Sequence, residues 1–203
     1  NQTLYIIAIS IAITAIVYYL LGNTFFSLCL FITMPLFIKS FLVFFKKVSK
    51  DRSFFSQWLA HLSIGLFIVA AVYTEQFDYE KNITFEKGDN NEIVLDEDTF
   101  LLLENIKDTD LSNHQKISVD LIVMENNLKY FLSPSKNIYQ PSGQVTNEVS
   151  TVNRNFDQYY ATISMIESDK VSIKIVFKPV INLLWISSIL LVFSIFLSII
   201  KRR

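Results

Sequence analysis

His61 is the one ionisable side chain near the middle of an uncharged, mostly apolar run over residues 53–74. A run of that length crosses a bilayer as a helix, and ionisable groups within the hydrocarbon are rare and functional. Gln57, His61 and Gly65 recur at a spacing of four, which puts them along one helix face. A glycine one turn from a histidine leaves room for a flat ring to approach the backbone, and a neutral imidazole is a standard axial ligand of haem iron in a helix bundle. Two other readings stay open at this point: a hydrogen bond to a neighbouring helix, or a proton relay. A proton wire would want more ionisable groups along its path, and the run supplies none. The second histidine, His114, lies in the polar stretch Leu111-Ser112-Asn113-His114-Gln115 and is expected to be a solvated loop residue. A bis-histidine site therefore needs its partner from outside this chain. Cys29 is the only cysteine, so the chain alone builds neither a disulfide nor a thiolate metal site, and a small buried hydrophobe is expected there.

The element that must carry His61 is one of four. Residues 4–21, 25–45 (interrupted by Lys39) and 180–200 are runs of the same character as 53–74, each long enough to span roughly 30 Å at about 1.5 Å per residue. The chain reads as an integral membrane protein, and the first run lacks the basic flank and small-residue cleavage site of a signal peptide. It opens on Asn1 beside a span, which is expected of a piece of a longer polypeptide. Lys46, Lys47, Lys50 and Arg52 follow the second span, and Lys201, Arg202 and Arg203 follow the fourth. Both clusters are cytoplasmic by the positive-inside rule, and an even number of crossings between them makes the two signals agree. The Gly22-Asn23-Thr24 turn and the long acidic segment after the third span are then extracytoplasmic.

That segment reads as β structure, because apolar and polar residues alternate over 116–123 and 170–177. Strands are expected over residues 82–87, 92–96, 99–105, 116–124, 128–133, 158–167 and 170–177. Turn signals stand at Gly88-Asp89-Asn90-Asn91, Glu125-Asn126-Asn127 and Ser168-Asp169. Residues 141–156 have no clear period and are expected to form a loop. The predicted fold class is thus membrane α-helical, four transmembrane helices with an inserted extracytoplasmic all-β domain, a small antiparallel barrel or sandwich. The expected divisions are 1–52 for the first two helices and the basic loop, 53–74 for the helix carrying His61, 75–178 for the β domain, and 179–203 for the last helix and tail. Because the β domain runs directly into helices at both ends, it is expected to stand close to the membrane surface. Lys178-Pro179 suits the strand-to-helix junction, with proline in the first helical turn. Tyr73 and Trp58 are candidate interfacial anchors, while Trp185 is either lipid-facing or packed. Lys39 is expected to snorkel to the inner interface, and Pro35 to kink its helix.

Other chemistry is thin. Asp96-Glu97-Asp98 lacks the spaced oxygen donors of an EF-hand loop and is expected to be a solvated turn. Asn82-Ile83-Thr84 matches a glycosylation sequon, which matters only in a secretory-pathway protein. There is no phosphate-binding glycine loop, zinc spacing or hydrolase elbow, and no nucleic-acid partner is expected.

From Trp58 to Arg203 the order of features resembles the carboxy-terminal part of the CcmF family, the haem lyase subunit of System I cytochrome c maturation. The residues that carry it are Leu59-Ala60-His61-Leu62 opening a span, Lys87-Gly88-Asp89 early in the outer segment, and Thr146-Asn147-Glu148-Val149 after Tyr139. Asp157-Gln158-Tyr159 follows, then Lys178-Pro179 with Trp185 entering the last helix, and a basic terminus. The likeness covers about three-quarters of the chain. It departs at Thr146-Asn147, where the family has methionine and threonine before the glutamate, and at Val180, where it has an aromatic.

The resemblance implies that His61 is one of two axial ligands of a b-type haem within the membrane, the second coming from an earlier helix outside this chain. It also implies a β domain near the site where a second haem, delivered by the chaperone CcmE, is joined to the Cys-X-X-Cys-His motif of apocytochrome c. Thioether formation favours reduced haem iron, so the b haem is implied as an electron relay. The implied partners are the remaining amino-terminal CcmF region or subunit, CcmE, a CcmH-type apocytochrome-handling subunit, apocytochrome c and the lipid membrane. The implied location is the bacterial or mitochondrial inner membrane, with the β domain on the periplasmic or intermembrane-space side. The family's tryptophan-rich segment and its two outward-facing histidines are not in this sequence, so the chain is expected to be a carboxy-terminal piece or a split-gene product, incomplete as a catalyst. Glu148, Asp157 and Tyr159 are candidate surface contacts, with plain structural roles as the alternative. The competing functions are a non-enzymatic scaffold docking partners through its β domain, and a transporter or quinone-linked subunit in which His61 relays protons.

Overall fold

The protein is described here from a computed structural model covering residues 2–47, 52–86, 92–96, 99–167 and 170–200. Outside the described residues lie Lys50, Lys201, Arg202 and Arg203, the Lys87-Gly88-Asp89 motif, Glu97 and Asp98, and the expected turns at 88–91 and 168–169. The chain divides into two compact units, a helical one from Asn1–Phe77 with Pro179–Arg203 and a β one over Asp78–Lys178.

The helical unit holds α1 (Gln2–Leu21), α2 (Thr24–Lys47), α3 (Arg52–Phe77) and α4 (Ile181–Ile200). All four are long and apolar enough to cross a membrane, which makes this a multi-pass membrane protein. The break between α1 and α2 is local chemistry. Gly22 takes a left-handed φ of 65° and its N–H donates to the Tyr18 carbonyl at 2.8 Å, closing α1. Asn23 then caps α2, its Oδ1 accepting from the Phe26 N–H at 2.9 Å. Pro35 lies inside α2. Small residues mark the packed seams, as in other membrane helices where backbones approach closely. In α3, Ser56, Ser63 and Ala70 recur every seven residues and are buried, and Ser187 and Ser194 do the same in α4. Accordingly α3 packs on both α2 and α4, and α1 on α2. Trp185 is 61% exposed, so it is not packed within the helical unit.

Among its described residues the β unit contains ten strands, where the sequence pattern predicts seven: β1 (Tyr79–Glu86), β2 (Glu92–Asp96), β3 (Thr99–Asp110), β4 (His114–Glu125), β5 (Leu128–Leu132), β6 (Ser135–Tyr139), β7 (Val145–Glu148), β8 (Ser150–Arg154), β9 (Asp157–Ile166) and β10 (Lys170–Lys178). They form two antiparallel sheets, ordered β1-β10-β9-β8 and β2-β3-β4-β6-β7. One edge of β4 carries β3 along its length, and the other is shared, β5 pairing with Leu121–Glu125 and β6 with His114–Ser118. The chain passes from one sheet to the other at Val149, between β7 and β8. Phe85, Leu101, Val119, Leu121, Tyr159, Ile163 and Ile173, drawn from both sheets, share a single core. The strands alternate as expected, with Ile117, Val119, Leu121 and Val123 buried on β4 and Val171, Ile173 and Ile175 on β10.

Three expectations are corrected. Residues 141–156 are not a loop but include β7 and β8. His114 is the first residue of β4, half-buried, with Nδ1 2.7 Å from Asn113 Oδ1 and its ring tilted against Tyr139. Pro179 lies in the turn before α4 rather than in its first turn, and Val180 beside it holds a positive φ of 49°.

Candidate functional site

His61 is on the surface of the helical unit, on α3, with Gln57 one turn before it and also exposed. Its Nδ1 lies 2.7 Å from the Gln57 carbonyl oxygen. A carbonyl only accepts, so Nδ1 carries the proton, and in the neutral imidazole Nε2 then holds the lone pair. A hydrogen bond from one ring nitrogen to a backbone carbonyl is the arrangement that fixes tautomer and ring orientation in metal-ligating histidines. Nε2 is consequently the atom available to a metal or a donor. The described residues contain no cluster of three or more His, Cys, Asp or Glu able to hold a metal ion, so what α3 supplies is one imidazole.

Gly65 does not share that surface. It is buried, and a Cβ built on it would lie 2.9 Å from Phe37 Cζ and 3.1 and 3.3 Å from the two Cε atoms of the same ring. The clearance that the glycine provides is thus filled by a ring of α2. The reason is angular: four residues advance a helix by about 400°, so Gly65 is turned some 40° from His61, into the α2 seam. Beyond Gly65, Met34, Phe37, Phe41, Leu66 and Val69 line an apolar groove of about 580 Å³ between α2 and α3.

The far end of α3 is pinned. Thr74, 5% exposed, donates from Oγ1 to the Pro179 carbonyl at 2.7 Å, joining α3 to the entry of α4. Asn23 Nδ2 donates to Gln76 Oε1 at 2.9 Å, joining the α1–α2 turn to α3. Tyr73 packs edge-on against Phe26 with ring centres 5.4 Å apart, so this candidate anchor is partly a packing residue.

Of the β-unit candidates, Tyr159 is 1% exposed and belongs to the core, which excludes it as a surface contact. Its ring meets Phe177 at 5.0 Å, and its hydroxyl reaches Glu125 Oε2 at 3.5 Å. Burial raises the Tyr159 hydroxyl pKa, and burial together with the neighbouring Tyr159 raises that of Tyr79. Asp157 stands 3.8 Å from Arg154, whose stronger partner is Glu125 at 2.9 Å. Glu148 accepts from Ser135 Oγ (2.6 Å), Lys116 Nζ (2.9 Å) and Asn137 Nδ2 (3.0 Å). Those hydrogen bonds, Ser135 first, hold its carboxyl down at about 2. Sequence reasoning singled out neither Arg154 nor Lys116, and read Glu125 only as part of a turn. The only signal for them is cross-strand pairing, which needs the register.

No family model matches the chain, and no curated protein matches it. Among solved structures it is similar to "Cytochrome c Heme Lyase CcmF", with a TM-score of 0.77 and 12% identity, over 96% of this chain and 34% of that one. At that identity the likeness is one of fold. It agrees with a carboxy-terminal part of CcmF, and the chain spans about a third of the length of the protein it resembles.

Proposed function

We propose that this chain is the carboxy-terminal, membrane-embedded portion of a cytochrome c haem lyase, as a piece of a longer polypeptide or as a split-gene subunit. The observation that carries the reading is His61, whose Nδ1 proton is committed to the Gln57 carbonyl at 2.7 Å and whose Nε2 is free on the surface of α3. The residues present fit one axial position of a b-type haem, with the second ligand supplied from outside this chain. Bound there, such a haem would supply electrons that keep the iron of the substrate haem reduced while thioether bonds form.

The rest of the assignment concerns what this chain's residues do around that position. Gln57 orients the imidazole through its backbone carbonyl, and the Gly65–Phe37 contact fixes α3 against α2. The β unit is assigned to the periplasmic or intermembrane-space side of an inner membrane. There it would meet CcmE, a CcmH-type subunit and apocytochrome c, with the amino-terminal CcmF region completing the catalyst. The cytoplasmic assignment of the basic clusters supports that orientation.

The test is the reduced-minus-oxidised absorption spectrum of the full complex, wild type against His61→Ala. Loss of a bis-histidine b-type signal in the variant is the expected result. An unchanged spectrum with full haem content removes His61 from the site and leaves a scaffold that docks partners through its β unit.

A further inference from the structure

Along half its length the sheet containing β3 and β4 carries apolar side chains on both faces, with Glu92 and Lys129 at the two edges of the outward one. Leu101, Leu103, Leu121, Val123 and Leu132 point into the core, while the residues between them point away from it. On that outward face the register aligns Val94, Phe100 and Met124 with Lys129 in one row, and Leu102, Ile122 and Phe131 in the next, where Glu92 stands at the β2 edge. Val94 is 57% exposed and Phe131 63%. Further along the same face the apolar character stops. Lys107 pairs with Asp120 at 2.6 Å, Ser133 donates to Asp120 at 2.6 Å, and Lys116 reaches Glu148 at 2.9 Å. One face therefore grades from apolar to charged along the strand direction.

The apolar half is at the end of the β unit where the chain enters and leaves. Glu125, last residue of β4, bonds Arg154 and Tyr159. Tyr159 lies opposite Phe177 in the ladder, and Phe177 opposite Tyr79. The next residues outward, Asp78 and Lys178, pair with each other at 3.3 Å and are bonded directly to Phe77 and Pro179 of the helical unit. A contiguous exposed apolar patch marks an interaction site, and the position and grading of this one select the occupant. This end is the one joined by single peptide bonds to two membrane-length helices, and a surface that turns charged with distance from it matches the profile of a membrane interface.

We infer that this band is a membrane-contact surface: Val94, Phe100, Leu102, Ile122, Met124 and Phe131 rest among lipid headgroups and upper acyl chains, and Lys129 reaches lipid phosphate. Aromatic and aliphatic residues with a basic neighbour are the composition that binds such an interface.

The test uses the full chain with Cys29→Ser, carrying either Phe131→Cys in the apolar band or Thr109→Cys at the charged end. Each is labelled with an environment-sensitive fluorophore and reconstituted in phosphatidylethanolamine–phosphatidylglycerol vesicles with or without nitroxide-labelled lipid. Both positions are exposed, so neither substitution removes a core side chain. The expected result is blue-shifted emission quenched by nitroxide lipid at position 131 and neither effect at 109, with quenching reduced by Lys129→Glu. Three outcomes overturn the inference: aqueous emission at both positions, equal quenching at both, or a blue shift at 131 without lipid quenching, which means that protein covers the band.

Discussion

Substituting Gly65 tests whether its missing side chain serves the α2 seam. An alanine methyl would start 2.9 Å from Phe37 Cζ. Carbon atoms pack best at about 3.5–4.0 Å, so the ring must retreat by roughly 0.6 Å or more. Overpacking of that kind costs about 1–3 kcal/mol, while replacing a mid-helix glycine by alanine returns about 1 kcal/mol of helix propensity. The net for Gly65→Ala is a loss of about 1 kcal/mol. Gly65→Leu, which adds three further carbons in the same direction, should lose the α2–α3 seam. Phe37→Ala removes the obstructing ring, so the double variant Gly65→Ala/Phe37→Ala should be less destabilised than the sum of its parts, with a coupling of about 1 kcal/mol. The assay is unfolding of the full chain in mixed micelles by titration with dodecyl sulfate, followed by far-ultraviolet circular dichroism, for the four members of the cycle. Strict additivity would refute the reasoning. Loss of a haem spectrum in Gly65→Ala without loss of stability would instead mean that the glycine serves a cofactor.

The acid limb of stability should report Glu148. Its carboxyl is held at about 2, below its ordinary value, by Ser135, Lys116 and Asn137, so the folded state binds this proton less readily than the unfolded chain. The stabilisation is present above the ordinary carboxyl range and drains away as pH falls towards about 2; Glu148→Gln should flatten that slope in thermal melts taken across the interval. Tyr159→Ala empties a fully buried aromatic site shared by the two sheets and should cost about 3–5 kcal/mol, read as rapid proteolysis of the β unit with the helices intact. Tyr159→Phe, which keeps the ring but removes the hydroxyl and its polar partners Tyr79, Thr99 and Glu125, should cost less, about 1–3 kcal/mol. Thr74→Val leaves the Pro179 carbonyl without its buried donor and should cost about 1–3 kcal/mol in the same micelle titration, while Thr74→Ser should retain most of the stability.

The four helices are legible because membrane spanning is a local property, written in uncharged runs. The β strands that line the core are legible for a related reason: Ile117, Val119, Leu121 and Val123 alternate because every second side chain must be buried. The strands that escape are those with another source of stability. β7 and β8 have no fully buried residue and are held by ladder pairing to β6 and β9, which leaves no apolar period to read. In β3 the expected strand stops at 105 because the register shifts between Leu103 and Asn105, and the alternation changes phase there although pairing continues to Asp110. The Asn126-Asn127 turn is legible, both residues adopting the positive φ that asparagine tolerates. At the candidate site, spacing placed Gln57, His61 and Gly65 on one stripe. Which edge of the stripe meets α2 depends on Phe37, a residue on another helix, and no local pattern contains that information.

The pairing of β1 with β10 bears on how the helices find each other. Without it, α3 and α4 would be the ends of a connection of about a hundred residues, and bringing such ends together costs about 4 kcal/mol of chain entropy. The Tyr79↔Phe177 pair, directly inside the two junctions, shortens that connection to a few residues. A β unit that has zipped its first strand to its last therefore delivers α3 and α4 to one another at high effective concentration. A mutation that unfolds the sheets would be felt, through the chain alone, as a weaker helix pair in the membrane.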